Sequence, residues 1–75
     1  MTYLNFSKAL DQMKAGHRVT RKTWESRGLW VAIQRPDVMS KMTEPYIFMK
    51  RLDNSMVPWT PTQSDILAED WRVVS

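Results

Sequence analysis

Two short runs constrain this chain more than anything else in it. In Leu29–Gln34, side chains Leu29, Val31 and Ile33 point to one face of a strand and Trp30, Ala32 and Gln34 to the other. In Tyr46–Lys50, Tyr46 and Phe48 share one face and Ile47 and Met49 the other. Both runs are apolar on both faces, so both faces need cover. Only one helix is long enough to supply it: Phe6, Ala9, Leu10 and Met13 recur at i, i+3, i+4 and i+7, one buried helical stripe. That stripe covers one face. The other is predicted to be buried against a second copy of the chain, making the protein a dimer at least. The 75 residues include no cysteine and a single histidine, His17, so neither a disulfide nor a zinc site can brace so small a core. Oligomerisation is the remaining stabiliser.

The rest of the chain supplies the partners of these strands. Asn5 is placed to cap the helix and Gly16 to end it. His17–Arg21 is expected to be a short strand with Val19 inward, and Arg21-Lys22-Thr23-Trp24 leaves it toward turn material at Ser26-Arg27-Gly28. Arg35-Pro36-Asp37 breaks the second strand, and residues 38–45 are expected to form a loop. Asp53-Asn54 marks a hairpin turn after which Met56-Val57 returns as a fourth strand. Thr60, followed by Pro61 and Gln63, is expected to cap a short helix with Leu67, Ala68 and Trp71 facing inward and Thr62, Gln63 and Asp65 outward. Asp70–Val74 closes the chain as a fifth strand. The predicted fold class is α+β, a mainly antiparallel sheet of about five short strands with one N-terminal and one short C-terminal helix, in a single domain over residues 1–75.

Several functions are excluded at this level. No apolar run approaches a membrane span, and no basic region followed by an apolar block opens the chain, so a cytoplasmic protein is expected. No serine or threonine stands in a pattern with a base and an orienting group. With only Gly16 and Gly28, there is no phosphate-cradling glycine loop. Asp65, Glu69 and Asp70 read as a solvated helix end rather than a metal cluster. No enzymatic activity, metal or cofactor is therefore expected. The charge is uneven: residues 1–51 hold ten Lys/Arg against four Asp/Glu, and residues 52–75 one Arg against four acids. The basic part favours an anionic partner through long-range steering, although a solvated face has the same composition.

The residues left for binding are few. The Trp24 indole offers a face for a nucleobase, and such stacking contributes about 1–3 kcal/mol per base; alternatively it plugs the sheet edge. Arg21 can grip a phosphate with two parallel hydrogen bonds. Trp59, at a strand-to-helix corner, is either a corner plug or a pocket wall. Thr62 and Gln63 lie at an exposed helix start. Asp65 can accept from ribose hydroxyls or a base amino group, or it can simply favour the positive end of the helix. A carboxylate repels a diphosphate, so Asp65 is expected at the ribose or base end of a pocket and Arg21 at the other. Trp71, in phase with Leu67 and Val73, reads as core.

The run Val57-Pro58-Trp59, followed by Thr62-Gln63-Ser64-Asp65-Ile66-Leu67-Ala68-Glu69-Asp70-Trp71, resembles the C-terminal signature of a family of small phage proteins, the second type of Thoeris anti-defence protein. The N-terminal part is similar too: a helix, Phe6 to Gly16, then a short basic strand leading to Arg21-x-x-Trp24. The middle, from about Arg35 to Pro45, carries no such likeness. The resemblance implies a nucleotide-binding sponge that sequesters a cyclic ADP-ribose-type or other cyclic nucleotide immune signal without degrading it. It also implies a tetramer built from dimers, and it favours Arg21, Trp24, Trp59, Thr62, Gln63 and Asp65 as ligand-binding residues. The alternative is a small single-stranded nucleic-acid-binding module using Trp24 and Trp30 among basic residues. Against it, the cations form no dense run and the C-terminal third is acidic, so a nucleic-acid partner is not expected.

Overall fold

In a computed structural model of the chain, which describes residues 3–36 and 44–74, the apolar stripe near the N-terminus forms helix α1, Phe6–Lys14. Asn5 caps it, its side chain accepting from the Lys8 amide at 2.9 Å. The helix ends where Gly16 adopts φ +99°, a conformation with little cost only for a residue without a Cβ. Then follow β1 (Val19–Arg21), a 3₁₀ helix (Lys22–Arg27), β2 (Trp30–Gln34), β3 (Tyr46–Lys50), β4 (Met56–Pro58), helix α2 (Gln63–Leu67) and β5 (Trp71–Val73). The strands form one antiparallel sheet in the order β4-β3-β2-β1-β5. This is the predicted α+β class. The 3₁₀ helix was not legible: Lys22 to Arg27 has no apolar stripe, and what holds it is the burial of Trp24. His17 and Arg18 precede β1 rather than joining it. The predicted loop of residues 38–45 lies, up to position 43, outside the described residues.

The sheet has two unlike faces. On the first, Val19, Val31 and Trp71 are completely buried against Ala9 and Met13 of α1, with Leu29, Ile33, Ile47, Met49 and Val73 packed around them. On the second, the register sets Trp30 beside Lys50, Ala32 beside Phe48, Gln34 beside Tyr46 and Phe48 beside Pro58. The Trp30 and Phe48 rings meet edge to face at 5.8 Å, and the Arg18 guanidinium lies 4.9 Å over the Trp30 ring. Helix α1 packs on the first face, and α2 packs against α1.

Two assignments near α2, one inward and one outward, are corrected. Leu67 is 77% exposed, while Asp65, expected outward, is 7% exposed. The expected stripe assumed that the helix runs into Trp71. It stops at Leu67, Ala68 is already extended (ψ 149°), and the Trp71 indole reaches the core from β5.

Candidate ligand site at the start of α2

A helix of five residues does not stand on its own hydrogen bonds. What holds α2 is its first turn. Thr62, not Thr60, is the N-cap: its hydroxyl accepts from the Asp65 amide at 3.2 Å, and the Asp65 carboxylate accepts from the Thr62 amide at 3.0 Å and the Thr62 hydroxyl at 2.9 Å. Thr62-Gln63-Ser64-Asp65 is thus a reciprocal capping box with aspartate in the position where glutamate or glutamine is usual. Pro61 lies outside the helix, and Gln63 is its first residue rather than the residue reaching back.

Arg21, the last residue of β1, reaches this turn from the neighbouring strand. Its Nη1 donates to Asp65 Oδ1 at 2.9 Å, and its Nε donates to Asp70 Oδ1 at 2.9 Å. The three side chains are mostly shielded, Arg21 being 17% and Asp65 10% exposed. The hydrogen bond to Asp70 above all, with Asp65 adding to it against the effect of burial, holds the Arg21 proton more tightly than usual. Pairing of this kind offsets the cost of taking the charges out of water. Asp65 ties in a third element, because its backbone carbonyl accepts from Trp71 Nε1 at 3.0 Å.

Three indoles close the inner side. Trp24 meets Trp71 at 5.2 Å and 81°, and Trp59 at 5.8 Å and 88°; Trp59 meets Trp71 at 6.2 Å and 70°. These edge-to-face contacts satisfy the ring quadrupoles. The Arg21 guanidinium stands 5.9 Å from the Trp24 ring centre.

All six residues singled out in the sequence therefore come together. Gln63 adjoins Thr62, Thr62 bonds Asp65, Asp65 bonds Arg21, Arg21 approaches Trp24, and Trp24 packs on Trp59. Within one chain their neighbours are these. Trp24 is 8% exposed and belongs to the core cluster, so within one chain its ring faces are taken by protein. Arg21 and Asp65 do not stand at opposite ends of a pocket: opposite charges on adjacent elements, with little water between them, bond each other. Trp59 is half-buried against the core as a corner plug. Gln63 is exposed.

Asp70 was read as solvated and is in fact the second carboxylate on Arg21. Its neighbour Trp71 gave the signal, since a strand that buries Trp71 must start at the sheet and bring Asp70 beside Arg21, its cross-strand neighbour's position. Among the described residues, no group of three His, Cys, Asp or Glu side chains is placed to hold a metal ion.

Comparison with known proteins adds a second line. The profile of the Thoeris anti-defense 2-like domain matches residues 4–74. The chain is similar to Thoeris anti-defense 2 of Bacillus phage SP01, 32% identical over 87 aligned positions that span 99% of this chain and 98% of that protein.

Proposed function

The chain belongs to the Thoeris anti-defense 2-like family, and from that membership we propose that it is a phage protein that blocks Thoeris-type immunity by sequestering the signal. The signal is of the cyclic ADP-ribose type, or a related cyclic nucleotide, held intact and not hydrolysed. The observation that carries this reading is that the family match takes in both ends of the chain, and that its two signatures, Arg21 to Trp24 and Thr62 to Trp71, meet in one place. Capture needs donors, acceptors and an apolar wall, and no reacting group. The start of α2 supplies these in the exposed side chains of Gln63 and Ser64, with half-buried Trp59 beside them in the chain.

So small a domain encloses a dinucleotide-sized ligand only with help from a second copy. The open sheet face supports that assembly: Tyr46, Phe48 and Gln34, with Met56, Val57 and Pro58, line a shallow depression of about 180 Å³, and Met56 is 57% exposed. The working assembly is a homo-oligomer, a tetramer built from dimers, in the cytoplasm of the infected cell. The decisive test is mass spectrometry of small molecules released on denaturing protein purified from signal-producing cells. Intact signal is the expected result; hydrolysed fragments would make the protein an enzyme, and an empty protein would remove the sequestration reading.

A second reading draws on the open face as well. Trp30 and Phe48 with Arg18 and Lys50 form an aromatic and cationic surface that suits single-stranded nucleic acid. A salt titration separates the two. Nucleic-acid binding weakens steeply with salt through counterion release, whereas capture of a small enclosed nucleotide responds much less.

A further inference from the structure

Resting on the capture reading, we propose that Arg21, Asp65 and Asp70 are positioning residues: they lock the Thr62–Gln63 turn in place and do not themselves touch the signal. The hydrogen-bond inventory supports this. Asp65 Oδ1 accepts from Arg21, and Asp65 Oδ2 accepts both the amide and the hydroxyl proton of Thr62. Both carboxylate oxygens are engaged in a residue 7% exposed, so little accepting capacity faces outward. The Thr62 hydroxyl has already given its only proton to Asp65. Arg21 spends its Nε and Nη1 on two carboxylates lying on different segments, one in α2 and one just before β5. The cluster combines one cation with two carboxylates, a net charge of −1, so it does not draw a phosphate toward itself.

Only a planar fork makes this link. An arginine holds two carboxylates in fixed directions, whereas a lysine supplies a single mobile point charge. Removing Arg21 leaves both carboxylates without their cation, and removing Asp65 leaves Arg21 with Asp70 alone; either change frees the first turn of α2, which has few other supports. The group that then moves is Gln63, the exposed side chain next to the cap. The cluster acts on capture through the place where it puts that residue.

The experiment uses the full chain and cyclic ADP-ribose as the probe. Calorimetry is run on Arg21→Lys, Asp65→Asn, the double variant and Gln63→Ala, with amide hydrogen exchange across Thr62 to Ile66 in the free proteins. Each single change in the pair is expected to weaken capture on the order of tenfold, with the double variant no worse than the weaker single, since both break one unit. Exchange of the α2 amides is expected to rise in all three, and the salt dependence of capture to stay as in the wild type. Gln63→Ala is expected to weaken capture with exchange unchanged. Multiplying losses in the double variant would make these residues independent direct contacts, and near wild-type capture by Arg21→Lys with α2 exchange unaltered would leave them without a role; either result overturns the inference. If the wild type binds no cyclic ADP-ribose, the capture of that signal fails as a reading. The exchange arm still decides the lock: unaltered α2 exchange in the variants rejects it, and raised exchange upholds it.

Discussion

The two faces of the sheet solve the same problem in opposite ways. The first is finished within one chain: α1 and the indoles of Trp24 and Trp59 cover Val19, Val31 and Trp71 until none of those residues touches water. The second carries side chains as large, Trp30, Phe48 and Tyr46, and leaves them half-exposed with Arg18 and Lys50 beside them. A small domain builds one closed core and spends the rest of its apolar side chains on a surface. The difference teaches that closure and exposure divide here by face. Substitutions on the first face, including those at the candidate site, are expected to be felt in the fold; substitutions on the second are expected to be felt in assembly.

The largest effect that can test this division comes from the indoles. Trp71→Ala and Trp24→Ala are both expected to destabilise the fold by about 3–5 kcal/mol, the range for truncating a large buried aromatic. Denaturant unfolding measures both. A Trp24 variant as stable as the wild type, with capture lost, would restore Trp24 as an open stacking surface and break the comparison at its central residue.

Next comes the ion network. Arg21→Ala leaves Asp65 and Asp70 as shielded carboxylates facing each other's charge, and is expected to cost about 2–3 kcal/mol, somewhat less than for a fully buried pair because part of the cluster meets water. Thermal unfolding at neutral pH measures it. A cost near zero would place the network with the weak surface pairs.

The other face should show the reverse pattern. Phe48→Asp is expected to change the stability of the folded subunit by about 1 kcal/mol or less while reducing the assembly to monomers. Light scattering at micromolar concentration gives the mass. A wild-type mass equal to one chain would remove the oligomer, and an unchanged mass in the variant would move the interface elsewhere.

Smaller still is the cap at the far end of the covered face. Asn5→Ala removes the acceptor for the Lys8 amide and is expected to cost about 1 kcal/mol, read from a shift in the denaturation midpoint. The smallest effect lies at the tip of the β3–β4 hairpin. The Ser55 hydroxyl and amide both donate to Asp53, holding its carboxyl below the usual aspartate range. A depressed folded pKa means that the contribution is present above the unfolded value and is lost as pH falls through the folded one. Amide exchange at Asn54 and Ser55 should therefore rise only on acidification, and the Asp53→Asn variant should lose that pH response.

Which parts of this were legible in the sequence follows from the range of the forces involved. Local periodicity and capping set the stripe Phe6, Ala9, Leu10 and Met13, the Asn5 cap, the Tyr46–Lys50 strand and the Asp53-Asn54 turn, because each depends on residues a few positions apart. The apolar character of both strand faces was equally plain, as was the set of six residues that gather at the start of α2. How those six sit against one another was decided only by tertiary structure. Asp65 is 44 positions from Arg21, and Asp70 is 49. Nothing in the local sequence states that a strand end and a helix start will lie side by side. Once they do, opposite charges screened from water bond each other, and Trp24 and Trp59, each of which read alone as a possible surface, pack on Trp71 at the core.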